Sequence, residues 1–153
     1  MFQLPKGLRT FFKGIDRSSG ANFDSMFDKY YLCAVVGMDE RKLADENRIE
    51  SDEFVKSYPN PYQEKADAIA GMLIDAEMDR KGIEPDNRNA IEKLMLNLMS
   101  LTSPTRLSSK GGSLLNRYSA GGFNILRREI DEPHHLSQFL VLYKQSFFKD
   151  EEL

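Results

Sequence analysis

The sequence predicts an all-α protein, a single compact domain of about five to six helices. Its 153 residues fit one hydrophobic core, and its hydrophobic share of 41% is ordinary for a globular protein. Apolar residues recur at helical spacing in several segments, while no alternating run is long enough to predict a sheet. We divide the chain into an N-terminal arm (1–21), a helical domain (22–148) and an acidic tail (149–153).

The N-terminal arm carries bulky apolar residues between basic residues. Pro5, Gly7 and Gly14 disfavour one continuous amphipathic helix, which argues against binding to a membrane surface. Two interpretations follow: the arm packs on the protein's own core, or it docks on another subunit. The candidate docking residues are Phe2, Leu8, Phe11 and Phe12.

The first long helix is predicted over residues 22–36, where apolar residues form one face. Asn22 is suited to its N-cap and Gly37 to its end. Cys33, the one cysteine of the chain, lies in an apolar run, so we expect a buried thiol without a disulfide partner. A reducing, cytoplasmic location is the corresponding prediction.

The middle of the chain contains the clearest helical signals. Residues 38–60 are charged and poor in apolar side chains, which predicts a short turn of helix followed by a connection. Two helices follow, over 62–81 and from residue 85 or 86 to about residue 99, with strong helix formers and end signals. The short connection between them predicts an antiparallel pair.

The last third of the chain is richer in glycine and serine. We predict a helix over 111–119, a break at 120–122, a short helix over 123–130 and a last helix from about residue 132. Each glycine of the two Gly-Gly pairs weakens a helix by up to about 1 kcal/mol relative to alanine. The pairs therefore indicate either a close backbone approach to a neighbour or ligand, or an ordinary loop.

Charge is unevenly distributed along the sequence. The window 104–128 holds five basic residues and no Asp or Glu, although the whole chain has a net charge of −3. Such a window suits phosphate groups of DNA, which arginine, lysine and backbone N–H groups bind. An acidic face of a partner protein and an ordinary solvated surface are the alternatives. The candidate binding residues are Arg106, Lys110, Gly111, Gly112, Arg117, Arg127 and Arg128.

The other groups of polar and glycine residues in the sequence do not predict catalysis. The stretch 108–113 places its lysine before the glycines and follows no strand, unlike a nucleotide-binding P-loop. His134 and His135 are adjacent, and neighbouring positions on a helix point about 100° apart rather than to one metal ion. The acidic residues 75, 77 and 79 are expected to form a solvated edge. We therefore expect no metal, no cofactor, no small-molecule substrate and no enzymatic activity.

The sequence also lacks the signals of membrane targeting. No uninterrupted apolar segment of a signal peptide occurs near the N-terminus, and no stretch of about 18 apolar residues is present. The expected partner is another protein or a second copy of the chain, and DNA is a possible partner. We expect no binding to a membrane.

Two segments resemble a known group of proteins. These are FDKYYLCAVVGM at 27–38 and GGSLLNRYSAGGF at 111–123. They resemble small accessory proteins of bacterial DNA phosphorothioation and related phage-defence systems. The resemblance implies a non-catalytic, DNA-associated or assembly subunit of a bacterial multiprotein complex. A protein-protein adaptor or homo-oligomeric structural protein without nucleic-acid contact is the alternative.

Overall fold

The computed structural model describes residues 1–149, so the predicted acidic tail, apart from Lys149, lies outside the described residues. Within this range the chain forms eight helices and a two-stranded antiparallel sheet. The helices are α1 (Leu8–Phe11), α2 (Lys13–Asp16), α3 (Met26–Asp39), α4 (Asn60–Gln63), α5 (Ala66–Lys81), α6 (Arg88–Leu98), α7 (Ser109–Glu129) and α8 (Leu136–Phe147). The strands are β1 (Phe2–Pro5) and β2 (Ile49–Val55).

A mostly helical fold is confirmed, but the predictions of a purely all-α class and of five to six helices are wrong. Three of the eight helices in residues 1–149 have only four residues each, which is too short to produce a helical period in the sequence. The strands were missed because β1 is equally short and the centre of β2 is exposed and charged. Neither strand therefore shows a clear alternation of apolar and polar residues.

The centre of the fold is the crossing of α3 and α7, where two backbones touch. A Cβ atom added to Gly122 would lie 1.7 Å from the carbonyl oxygen of Cys33, and one on Gly37 would lie 1.9 Å from that of Tyr118. Only glycine allows this approach. The glycines thus serve a close contact with a neighbouring helix, and α7 continues through the break predicted at 120–122, so that prediction is wrong.

The side chain of Asn116 on α7 holds the start of the chain against the core. Its Oδ1 atom accepts hydrogen bonds from the backbone N–H of Gln3 at 3.1 Å and from the Tyr30 hydroxyl at 2.6 Å. Its Nδ2 atom donates to the carbonyl oxygen of Met1 at 3.1 Å. Asn116 is buried, so one amide satisfies polar groups of β1 and α3 that would otherwise lack partners.

The N-terminal arm belongs to the core. Gly7 adopts a left-handed conformation with φ of 90°, which turns the chain from β1 into α1. Phe11 packs edge to face on Phe123 of α7, and Phe12 does so on Phe139 of α8, with ring centroids 5.6 and 5.1 Å apart. The predicted docking arm is therefore wrong, because its residues are at most 5% exposed: Phe2, Leu8, Phe11 and Phe12.

The remaining predicted helices are present with shifted ends. Helix α3 begins after Ser25, which forms a capping box with Asp28, rather than after Asn22. Helix α8 begins after His135, and both histidines are exposed. Cys33 is fully buried, as predicted. Among residues 1–149 no helix combines the length and the apolar character needed to cross a membrane.

Candidate anion-binding site

The five basic residues predicted as a binding surface are distributed over three places. Arg106 precedes α7, and its Nε atom lies 3.2 Å from an Asp67 carboxylate oxygen. Lys110 and Arg117 line one cleft on the exposed face of α7. Arg127 and Arg128 line another cleft, farther along the same helix. The charge of Arg106 is therefore partly neutralised, whereas the other four residues remain candidates.

The predicted glycine contacts with a ligand are not supported by the structure. A Cβ atom on Gly111 would lie 2.1 Å from the carbonyl oxygen of Leu98, and one on Gly112 would lie 2.6 Å from the Met1 side chain. Both glycines are buried. Their function is the close packing of α7 on its neighbours, so this part of the predicted binding surface is corrected.

The cleft near the end of α7, here called the basic cleft, has a volume of about 330 Å³. Half of its lining residues are basic, and no acidic side chain lines it among the residues that the structure describes. Two of the cations come from α7 and two from the connection 40–48 between α3 and β2. The lining residues are Lys42, Leu43, Arg48, Gly121, Asn124, Ile125, Arg127 and Arg128.

Backbone contacts fix the connection 40–48 across α7. The N–H of Ala44 donates to the carbonyl oxygen of Arg117 at 3.1 Å, and Nε of Arg117 donates to the carbonyl oxygen of Ala44 at 2.9 Å. A Cβ atom on Gly121 would lie 2.0 Å from the carbonyl oxygen of Lys42. The two cationic segments of the basic cleft are thus held at a fixed spacing by the fold.

The cations of the basic cleft are not neutralised by neighbours. Arg127 lies over the Phe123 ring at 5.2 Å and donates to Oδ1 of Asn124 at 3.3 Å, which orients its guanidinium group. Within residues 1–149 no ion pair involves Lys42, Arg48, Arg127 or Arg128. The last turn of a helix favours basic residues, but this accounts only for the two arginines on α7. This preference does not explain why Lys42 and Arg48 lie in the cleft.

The surface around the basic cleft offers charge without aromatic rings. All ten Phe and six Tyr residues lie in the described part of the chain, each is buried or half-buried, and none of them lines the basic cleft. Proteins that bind single-stranded nucleic acid without sequence preference generally stack bases on aromatic side chains. An anion held here would therefore be recognised through its charge and hydrogen bonds.

The second cleft, here called the α5–α7 cleft, has a volume of about 280 Å³. It lies near the start of α7, opposite the end of α5 and the end of α6. It combines basic, acidic and neutral polar side chains. The lining residues are Glu46, Glu77, Arg80, Lys81, Asn97, Leu98, Lys110, Ser113, Leu114 and Arg117.

Glu77 forms the buried acidic floor of the α5–α7 cleft. Arg80 donates to its two carboxylate oxygens at 2.6 and 2.9 Å, and the Tyr118 hydroxyl donates to one of them at 2.5 Å. Burial alone would raise the pKa of Glu77, but these hydrogen bonds outweigh it and hold the pKa below its usual value. The carboxylate is therefore ionised and neutralised at pH 7.

This geometry corrects the predicted acidic edge. Glu77 is 2% exposed and belongs to the interior. Asp75 and Asp79 are exposed, as expected, and both pair with Arg41, at 3.2 and 3.1 Å. No group of three His, Cys, Asp or Glu side chains able to hold a metal ion occurs within residues 1–149.

Besides Arg80, which pairs with Glu77, sequence reasoning missed three cations that the fold brings to these clefts. Lys42 and Arg48 lie in a segment with charges of both signs, and Lys81 ends a helix where basic residues are common. No sequence pattern distinguishes them from ordinary surface lysines and arginines. Their placement depends on the crossing of residues 40–48 over α7, which is a tertiary contact.

Comparisons with known protein families, with curated protein sequences and with solved structures find no match to this chain.

Proposed function

We propose that the protein is a non-catalytic subunit that binds the phosphate backbone of duplex DNA through the basic cleft. The observation that carries this proposal is the convergence of four unpaired cations from two segments, in a chain whose net charge is −3. An acidic protein would not concentrate unpaired cations in one cleft for solubility, because scattered charges serve that purpose. The cleft therefore indicates a specific anionic partner.

Phosphate groups fit the cations of this cleft better than isolated carboxylates. Three of the four are arginines, whose planar guanidinium groups donate two parallel hydrogen bonds to phosphate oxygens. No aromatic residue of the described part of the chain lines the basic cleft, which favours a duplex, whose bases are already stacked, over a single strand. Contacts of this kind position a protein on DNA without reading its sequence.

The DNA-bound protein would act as part of a larger assembly, as the resemblance to phage-defence accessory proteins implies. A cleft with four cations makes only a few phosphate contacts, so binding by the isolated chain should be weak and sensitive to salt. Four neutralised phosphates correspond to a slope of roughly −3 to −4 in a plot of log affinity against log salt concentration.

The test is fluorescence anisotropy with labelled duplex and single-stranded DNA at about 50 to 300 mM salt. The cleft variant replaces Lys42, Arg48, Arg127 and Arg128 with glutamine. Its matched control replaces the same number of exposed cations elsewhere with glutamine: Lys13, Arg17, Lys56 and Lys93. Both variants have the same net charge, so only the location of the removed charges differs.

We expect the wild type and the control variant to bind duplex DNA more tightly than single-stranded DNA, and this binding to weaken as salt rises. The cleft variant should lose binding to duplex DNA. Equal loss in both variants would show that overall charge, rather than the cleft, attracts DNA. No binding of the wild type at the lowest salt concentration would contradict direct DNA contact by the isolated protein.

Exposed leucines favour a second candidate function, that of a protein-protein adaptor or homo-oligomer. Leu96 on α6 and Leu101 just after it are 82% and 81% exposed. Apolar side chains at a protein interface lose this exposure on binding. Light scattering coupled to size-exclusion chromatography tests self-association, and a Leu96→Gln, Leu101→Gln variant should reduce any oligomer that forms through these residues.

A further inference from the structure

We infer that the α5–α7 cleft is a second anion site, which binds a phosphomonoester dianion, the doubly charged terminal phosphate of a small molecule or of a nucleic-acid strand. This inference does not depend on the proposed binding of DNA at the basic cleft. It rests on the charges, the hydrogen-bonding groups and the small volume of the α5–α7 cleft.

Three cations of this cleft are free to bind an anion. Lys110 and Arg117 lie seven residues apart on α7, which places them on one face about 10 Å apart along the helix axis. Lys81 faces them from the end of α5. Within residues 1–149 none of the three forms an ion pair.

Arg117 is oriented before any ligand arrives. Its Nε atom donates to the carbonyl oxygen of Ala44 at 2.9 Å, which fixes the guanidinium group and leaves its two terminal nitrogens for a ligand. The hydroxyl of Ser113 and the amide of Asn97 line the same cleft and supply neutral hydrogen-bonding groups. Preorganised donors of this kind reduce the entropic cost of binding.

The acidic residues of the cleft do not cancel its positive charge. The carboxylate of Glu77 is already neutralised by Arg80 and hydrogen-bonded by Tyr118. Glu46 lines the cleft from the turn before β2 and is exposed, so it opposes anion binding only weakly. Three free cations against one exposed carboxylate suit a ligand with two negative charges.

The small volume and the charge of the cleft favour a terminal phosphate over an internal phosphodiester. Its lining residues belong to α5, α6, α7 and the turn containing Glu46. Its volume of about 280 Å³ is below the usual range of sites for drug-sized ligands. A phosphomonoester carries a charge of roughly −1.5 to −2 at pH 7, whereas a phosphodiester carries a single charge.

Isothermal titration calorimetry with inorganic phosphate, AMP, adenosine and dimethyl phosphate tests the charge requirement. We expect inorganic phosphate or AMP to bind, and adenosine and dimethyl phosphate not to bind. Anisotropy with one duplex, prepared with 5′-phosphate or 5′-hydroxyl ends, tests the second source. Tighter binding of the duplex with 5′-phosphate ends identifies the ligand as the end of a nucleic-acid strand. Binding of AMP without this increase in duplex affinity identifies the ligand as a small phosphorylated molecule.

Charge variants locate the ligand in the cleft. Lys81 and Lys110 are exposed, so a Lys81→Ala, Lys110→Ala variant should fold normally and bind about tenfold or more weakly. Glu46→Gln should bind about two- to fivefold more tightly, a gain that misfolding cannot produce. Lys13→Ala, Lys93→Ala removes two exposed cations that line neither cleft, so this matched control should leave phosphomonoester binding unchanged.

The inference is overturned if neither phosphate nor AMP binds at millimolar concentration and the 5′-phosphate adds nothing to duplex binding. It is also overturned if phosphomonoester binding survives in the Lys81→Ala, Lys110→Ala variant. Duplex binding by the variant with glutamine at positions 42, 48, 127 and 128 is a separate measurement, so the two proposals can fail independently.

Discussion

The two faces of α7 use the same 21-residue helix for different purposes. On its inner face, Gly111 and Gly122 bring the backbone into contact with α6 and α3, and the side chain of Asn116 hydrogen-bonds to β1. Its outer face carries Lys110, Arg117 and Arg128 and lines the two clefts. In the sequence these residues are interleaved, because successive helical positions point about 100° apart. This basic, glycine-rich window therefore places most of its packing glycines and its cations on different faces of α7, with Gly121 as the exception that packs on the connection 40–48 within the basic cleft.

The largest effect is expected from Gly122→Ala on the inner face. The new Cβ atom would lie 1.7 Å from the carbonyl oxygen of Cys33, so α3 and α7 must separate. We expect the free energy of unfolding to fall by roughly 4 kcal/mol or more, or folding to be lost. Urea denaturation followed by circular dichroism measures the change.

Gly71→Ala is the matched control for this substitution. Gly71 lies within α5, is exposed and has no atom within 4 Å of its added Cβ, so the change should stabilise the protein by up to about 1 kcal/mol. Reaction of Cys33 with a thiol reagent gives a second readout. Burial raises the pKa of this thiol, and it should react only when the crossing opens. Equal stability of the two variants would show that the helices cross without backbone contact.

The second-largest loss of stability is expected from a substitution of Asn116, the polar residue of the inner face. Asn116→Ala leaves the N–H of Gln3 and the buried hydroxyl of Tyr30 without a partner. We expect a loss of roughly 3 kcal/mol in the free energy of unfolding. Hydrogen exchange should locate the change in β1, since two of the lost bonds hold that end of the chain. A uniform change over all helices would contradict this assignment.

A smaller effect is expected at the buried carboxylate beside the α5–α7 cleft. Glu77→Gln removes the charge that Arg80 and Tyr118 bind, at a cost of roughly 2 kcal/mol at pH 7. Because the folded pKa of Glu77 lies below its unfolded value of about 4.3, its stabilisation is complete above that value and is lost as pH falls through the folded pKa.

Thermal unfolding of both proteins between pH 7 and pH 2.5 checks the sign of this effect. The difference in stability between wild type and Glu77→Gln should be constant near neutral pH and should shrink below about pH 4. A difference that grows on acidification would mean that the carboxyl is protonated in the folded protein, against the assigned pair with Arg80.

The smallest effect on stability is expected on the outer face. Arg128→Gln removes an exposed cation without an ion pair among the described residues, so the free energy of unfolding should change by less than about 0.5 kcal/mol. Denaturation under the conditions used for Gly122→Ala gives the comparison. A loss comparable to that of the inner-face variants would show that the outer face also serves packing.

The parts of the fold that depend on local signals could be predicted from the sequence. Helices α5 and α6 follow from their periodicity and end signals, and the buried Cys33 follows from its apolar neighbours. The four apolar residues of the N-terminal arm were predicted to dock on a partner, but the surface that covers them is the protein's own core. The tertiary structure, rather than local sequence, determines which apolar surface a segment packs against.

The candidate site was predictable only in part, for the same reason. Arg127 and Arg128 were identified from the charge window, whereas Lys42 and Arg48 reach the cleft through the crossing of the connection 40–48. Conversely, Arg106 was included although Asp67 pairs with it. The sequence shows how many charges exist, and the fold decides which of them are paired.

The two segments from which we infer a resemblance to phage-defence accessory proteins correspond largely to α3 and to the first two thirds of α7. They contain the glycines and small residues of the crossing, and they lack Lys42, Arg48, Arg127 and Arg128. A likeness in these segments therefore concerns helix packing more than the basic cleft.

The crossing of α3 and α7 also bears on how the chain assembles. The hydroxyl of Ser119 bonds the carbonyl oxygen of Tyr30, 89 residues away, so the central contact closes a long loop. Helices α5 and α6 lie within this loop and are joined by a short connection, and contacts so close in sequence form early. We expect this helical pair to be structured before the crossing closes, and the entropy of loop closure to limit the folding rate.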